Sequence, residues 1–171
     1  MLVFFPGSIC KPDLGLVVDT TKSLKNENVP VLKEALTDLV QKFDISEDKT
    51  HVSLETFHKK ATVHNRFNDP TYWSVNAVID LINDNINNLR SPTRLDRALQ
   101  AADNKMYTSA YGDRSGEVNV LVVFTDGRTQ DATNFNALNS SVESLTEVTI
   151  IQLAWFSKPM ENDMNRVLNW K

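Results

Sequence analysis

The chain has 171 residues with a net charge of −4, from 22 acidic and 18 basic side chains. That length fits one α/β domain with a core of useful size, and the ordinary apolar fraction of 41% agrees. The acidic balance argues against a dedicated nucleic-acid binder, and no apolar run is long enough to span a membrane.

Residues 1–12 read as the remnant of a leader or a tail. The apolar patch Leu2-Val3-Phe4-Phe5 is too short for a signal-peptide core and has no basic residues before it. The lone Cys10 is either a free thiol or has its partner outside the chain. Asn139-Ser140-Ser141 is a glycosylation sequon, relevant only if the chain is secreted.

The domain is expected over residues 13–171. Leu14-Gly15-Leu16-Val17-Val18 is the continuous apolar run of a strand buried on both faces of a parallel sheet, and it stops at Asp19. Val31, Leu32, Ala35, Leu36, Leu39, Val40 and Phe43 recur at helical spacing, and Pro30 suits the first turn. His51 to Phe57 alternates, with Val52, Leu54 and Phe57 as the inward residues. Ala61 to Asn65 pairs with it as a hairpin across Lys59-Lys60, followed by a turn at Asn68-Asp69-Pro70.

Tyr72 to Leu89 has a helical stripe. After Ser91-Pro92, Thr93 is the expected N-cap of a helix whose inner face is Leu95, Ala98, Leu99, Ala102 and Met106. Gly112 to Glu117 is a polar loop. Val118 to Thr125 is a second buried strand, and it stops at Asp126. Phe135–Leu145 predicts a helix, Val148–Phe156 a strand and Pro159–Trp170 a short helix. The alternation implies a Rossmann-like, doubly wound, mostly parallel sheet of about five or six strands with helices on both faces.

In open α/β sheets ligands bind at the carboxyl ends of the strands, near the switch in strand order. Two strands here end in aspartates, Asp19 and Asp126. The loop after the first reads Asp19-Thr20-Thr21-Lys22-Ser23, so that Asp19, Thr21 and Ser23 can point to one centre. Hard oxygen donors of this kind suit Mg²⁺, Mn²⁺ or Ca²⁺.

These motifs resemble the metal-ion-dependent adhesion site of von Willebrand factor type A domains and integrin I domains. Asp19, Thr21 and Ser23 match that family's Asp-x-Ser-x-Ser loop, with threonine for its first serine. Thr93 matches its threonine element, and Thr125-Asp126-Gly127 its Thr-Asp-Gly motif. The resemblance implies that Thr21 and Ser23 ligate the cation through hydroxyls. Asp19 and Asp126 would lie near it, directly or through water, and Thr93 would join when a partner is engaged. An acidic residue of the partner would take the open coordination position.

By the same resemblance the partner-facing residues are Lys22, Thr93, Gly127 and Arg128, with Lys22 standing where the family often has glycine. The function implied is cation-dependent adhesion in an extracellular or matrix protein, with collagen or another matrix component as partner. The wording around Asp13–Asp19 is closest to collagen- and matrilin-type members. The family normally continues with a further strand and helix, which are not evident in this sequence, as in a fragment of a larger protein.

Two other readings start from the same residues. One is a matrix module that associates without metal. The other is a phosphohydrolase resembling the haloacid dehalogenases, with Asp19 as nucleophile and Asp126 with Asp131 as the late acidic motif. That motif is one residue too long, and the second aspartate most such enzymes place two residues after the nucleophile is missing. No Gly-rich phosphate loop or serine-hydrolase elbow is present. His58 and His64 would bind zinc only if they faced each other across the hairpin. Tyr72 and Trp73 read as packing residues, and Trp155-Phe156 as core or as a lining of the binding face.

Overall fold

The structure is a computed structural model that describes residues 11–87, 89–125, 145 and 148–154. Strand β1 (Asp13–Asp19) is followed by helix α1 (Val29–Val40), strands β2 (His51–Phe57) and β3 (Ala61–Val63), and helices α2 (Val75–Asn85) and α3 (Leu95–Ala101). Strands β4 (Asn119–Thr125) and β5 (Val148–Ala154) complete the described elements. The sheet order is β3-β2-β1-β4-β5, with β3 antiparallel to β2 and every other pairing parallel. The strand order therefore reverses at β1, so the β1–β4 junction is the switch point where such folds bind ligands.

The apolar run of β1 follows from its central place. Leu14, Leu16 and Val18 pack with Val52, Leu54, Val122 and Phe124 against Leu32, Leu36 and Val40 of α1 and Val78, Leu81 and Ile82 of α2. On the opposite face Val17, Phe57, Leu121 and Val123 pack against Ala98, Leu99, Ala102 and Met106. Burying each of these large aliphatic side chains contributes about 1.5–3 kcal/mol. The predicted inner face is thus the observed one, carried past α3 by a π-helical turn at Ala102–Met106, with Leu95 half-buried at its edge.

Gly15 sits where that second face is tightest. An added Cβ would come within 2.5 Å of Met106 Sδ and 2.6 Å of the Tyr107 hydroxyl. That hydroxyl accepts from Gly15 N (3.1 Å) and donates to Val120 O (2.6 Å), tying the turn after α3 to the two central strands. Gly15 is therefore a requirement of close approach, and Gly15→Ala is expected to destabilise the domain by about 1–3 kcal/mol in chemical denaturation.

Several expectations shift. α1 ends at Val40 instead of Phe43, because the backbone tightens there into a last turn: Lys42 N bonds Leu39 O and Phe43 N bonds Val40 O. The stretch Tyr72–Leu89 holds a shorter helix. Asp69 caps a separate 3₁₀ turn at Pro70–Tyr72, and Ser74 caps α2 by accepting from Ala77 N. Asn85 and Asn87 then draw off the last carbonyls with their side-chain amides. Thr93 is not the N-cap of α3. The cap position belongs to Arg94, whose side chain makes no capping bond and turns to Asp96.

β3 stops at Val63, two residues early, because Asn65 pairs with β2 through its side chain. Its Oδ1 accepts from Leu54 N and its Nδ2 donates to Val52 O. Tyr72 and Trp73 are packing residues, as expected: Tyr72 lies against the first core, while Trp73 stacks on His51 and donates to Phe67 O. The expected helices at 135–145 and 159–170, along with Trp155 and Phe156, lie outside the described residues, apart from Leu145, which is buried in the second core.

The alternation read into β2 is the plainest correction, since all seven of its residues are buried. Periodicity marks inward and outward faces only when one face meets water, and β2 has helices on both sides. The face read as outward includes Glu55, fully buried, with neither carboxylate oxygen hydrogen bonded among the described residues. Burial raises its pKa well above the ordinary value, opposed by the charge of Lys105.

The folded state therefore holds this proton more tightly than the unfolded chain does. Stability from this group is present at low pH. It falls by up to about 1.4 kcal/mol per pH unit as pH climbs from the unfolded pKa toward the raised folded one. Glu55→Gln removes that titration. In denaturation series from pH 5 to 8, the variant's stability relative to wild type is expected to rise with pH; parallel curves would mean that Glu55 is ionised in the fold.

Candidate functional site

β1 and β4 run parallel and end side by side, so the loops leaving them emerge at one edge of the sheet. Asp19 closes β1 with no exposed surface. A carboxylate there must be satisfied within the protein. Its Oδ1 accepts from Thr21 N at 2.8 Å and its Oδ2 from the Thr125 hydroxyl at 3.1 Å. The first bond curls the loop back over the strand end. The second links the ends of β1 and β4.

The curl brings Thr21 Oγ1 and Ser23 Oγ to 2.7 Å from each other. Thr21 is buried, Ser23 half-buried and Lys22, between them, exposed. Thr20 faces elsewhere, donating its hydroxyl to Phe57 O. Beyond Ser23 the chain passes through two short 3₁₀ turns joined at Lys25. Lys25 has a φ of 59°, a conformation that costs a non-glycine residue about 1–3 kcal/mol.

The segment between α2 and α3 is laid against this loop. Thr21 and Arg90 form an isolated parallel bridge; Arg90 N donates to Thr20 O at 2.8 Å and Lys22 N to Arg90 O at 3.0 Å. Thr93 follows three residues later and is buried. Arg94 N donates to His58 O, which joins the same segment to the β2–β3 turn. Arg94 and the buried Asp96 are paired through the guanidinium Nε and Nη2 and both carboxylate oxygens.

Of the residues singled out in the sequence, Asp19, Thr21 and Ser23 are thus gathered by direct hydrogen bonds. Thr93 lies on a segment bonded to their loop. Asp126, Gly127 and Arg128 are outside the described residues. Thr125 belongs with the group through its bond to Asp19. The sequence offered a signal for it, a hydroxyl residue directly before a strand-end aspartate, but only as part of a motif.

The spacing of the donor set fits a hard cation. Adjacent ligands of an octahedral Mg²⁺, each 2.0–2.1 Å from the ion, are about 3 Å apart. The separation of the Thr21 and Ser23 hydroxyls is close to this, with the Asp19 carboxylate two residues back along the same curl. Among the described residues no three His, Cys, Asp or Glu side chains cluster as ligands. The zinc arrangement considered for His58 and His64 does not form. His58 lies opposite Lys60 in the turn, its Nδ1 accepting from Lys59 N, while His64 Nε2 bonds the Thr56 hydroxyl.

Comparison with solved structures agrees with this topology. Proximal thread matrix protein 1 from the mussel byssus, in a form with a zinc-occupied MIDAS motif, superposes with a TM-score of 0.74 at 15% identity. The overlap covers 85% of this chain and 38% of that one. The manganese-loaded TRAP protein of Plasmodium vivax gives 0.71 at 15% identity, over 84% of this chain and 57% of that one.

Among curated sequences, Matrilin-3 of Gallus gallus is 28% identical over 131 residues, covering 75% of this chain and 28% of the matrilin. The human collagen alpha-5(VI) chain is 29% identical over 121 residues, covering 71% of this chain and 4% of the collagen. The chain thus spans about a quarter or less of these relatives' length. The profile of the von Willebrand factor type A domain matches residues 13–168. With that match spanning β1 through β5, and with the sheet order found here, the chain belongs to the von Willebrand factor type A domain family.

Proposed function

We propose that the chain is a binding module of an extracellular matrix or adhesion protein that grips an acidic residue of a protein partner through a divalent cation. The observation that carries this reading is the bay at the β1 edge, where a buried aspartate holds two hydroxyl oxygens 2.7 Å apart at the sheet's switch point. The likeness to matrilins and to a collagen VI chain supports the matrix setting, and the metal-bearing neighbours support the cation.

In this reading Thr21 and Ser23 offer hydroxyl oxygens to Mg²⁺, or to Mn²⁺ or Ca²⁺. Asp19 and Asp126 supply negative charge nearby, and Thr93 stands ready on the adjoining segment. When bound, the cation supplies an electrophilic position for the partner's carboxylate. Hydroxyls donate no full charge, so a donor set rich in them leaves more of the ion's charge for an outside anion. Lys22, Thr93, Gly127 and Arg128 are the residues we assign to contact with the partner.

Catalysis by Asp19 is disfavoured by its surroundings. Its carboxylate has no exposure and both oxygens accept hydrogen bonds, which lowers its readiness to attack a phosphorus centre. Binding is the better use of such a group.

Calorimetric titration of Mg²⁺ and Mn²⁺ tests the site. Wild type is expected to give a saturable heat and Asp19→Ala none; equal heats from the two proteins would refute the assignment. Binding to an immobilised acidic peptide is expected to vanish with chelator, whereas chelator-resistant association would favour the metal-independent matrix module. Asp126→Ala should lose the peptide and keep a cooperative melt; wholesale unfolding would make its role structural.

Thr125→Val tests the support beneath the site. It removes a hydroxyl that bonds Asp19 and is not itself a proposed ligand. Cation affinity is expected to drop by about 10–100-fold, the usual effect of losing such a supporting bond. Unchanged affinity would show that Asp19 is held adequately without it.

A further inference from the structure

The loops around the bay carry more positive charge than their place in an acidic chain would suggest. Lys22 lies between Thr21 and Ser23 along the chain and is exposed. Arg90, also exposed, belongs to the segment whose backbone clasps that loop. Lys59 and Lys60 form the exposed turn between β2 and β3, and this turn is pinned to the same segment by Arg94 N on His58 O and Arg97 Nη1 on Lys59 O. His58 registers the field: burial first, then the charges of Arg90 and Lys60, hold its pKa below the ordinary value.

The carboxylates on these loops do not balance the cations. Asp19 is buried and bonded internally, Asp96 is taken by Arg94, and Glu27 lies 3.7 Å from Lys25. Lys22, Lys59, Lys60 and Arg90 form no ion pair among the described residues. In a chain of net charge −4, these three described loops thus present a cationic rim beside the bay.

We propose that this rim selects a partner segment bearing a cluster of carboxylates. One enters the bay, and its neighbours lie against Lys22, Arg90 and the Lys59–Lys60 turn. The inference rests on the reading of the bay as a cation site that accepts a carboxylate. Such a rim attracts any polyanion over a Debye length. The detail favours an acidic peptide over a sulfated polysaccharide. Two guanidinium forks of the kind that grip sulfate are already engaged, Arg94 with Asp96 and Arg97 with a backbone carbonyl. What remains is three ammonium groups and one arginine, grouped on three loops about a single bay.

The experiment uses the whole chain with saturating Mg²⁺ and two labelled peptides of equal length, read by fluorescence anisotropy. In one, an aspartate is flanked by two glutamates on each side; in the other the flanking residues are glutamines. Exposed charge pairs contribute a few tenths of a kcal/mol each, so the glutamate-flanked peptide is expected to bind about tenfold tighter at low salt. Its advantage should shrink to about twofold near 0.5 M salt.

The double variant Arg90→Gln, Lys60→Gln should lose most of that advantage. Its Mg²⁺ heat and its affinity for the glutamine-flanked peptide should match wild type. Equal affinity for the two peptides, with the Mg²⁺ heat intact, overturns the rim and leaves the bay standing. Displacement of the glutamate-flanked peptide by a sulfated oligosaccharide of equal charge at lower concentration also overturns it, in favour of a polysaccharide. If the advantage persists in chelator with no Mg²⁺ heat, the rim assignment holds and the bay reading is the one that fails.

Discussion

A carboxylate with no solvent, placed at the end of a strand buried on both faces, has to be satisfied by groups its own neighbours bring to it. Asp19 is in that position. Its bond from Thr21 N fixes the curl of the first loop, and the curl sets Thr21 and Ser23 side by side. Its bond from Thr125 couples that curl to the end of the next strand across the switch point. The geometry of the bay is therefore a consequence of desolvating one aspartate. Such a constraint is costly to break, because removing either partner leaves buried charge without its bond.

How much of this could be read in advance depended on what each signal measures. Continuous apolar runs ending in aspartate marked β1 and β4 well, since a strand covered on both faces by helices has no polar side to display. The same physics misled the reading of β2. Ser53 and Glu55 alternate with Val52 and Leu54 as an outward face would, yet both are buried; Ser53 donates to Asn65 O, and neither carboxylate oxygen of Glu55 is hydrogen bonded among the described residues. A carboxyl forced inside by its position in the register cannot be recognised from residue type, because residue type is the feature it violates.

Element ends were less legible than elements, for a related reason. Asn65, Asn85, Asn87 and Ser74 each end or begin an element by substituting a side-chain group for a backbone one. These substitutions depend on where neighbouring chain segments lie. The candidate site was legible as a set of donors because its residues are close along the chain. The role of Thr125 was less so: its bond spans 106 positions, and only the parallel pairing of β1 with β4 makes it possible.

The two ends of the sheet treat buried carboxylates in opposite ways, and the contrast bears on where a ligand can bind. At the amino end Asp13 is clamped by Arg114, whose guanidinium also donates to the carbonyls of Lys49, Lys11 and Pro12. Charge and donors are matched there, and the cluster has little left to offer an outside ion. At the carboxyl end Asp19 is matched by an amide and a hydroxyl, neither of which carries formal charge. Lys22, Lys59, Lys60 and Arg90 stand exposed on the loops at that end. Under the proposed function, an anion approaching from outside would meet the rim first and the cation in the bay second. That ordering is what a module gripping an acidic partner requires.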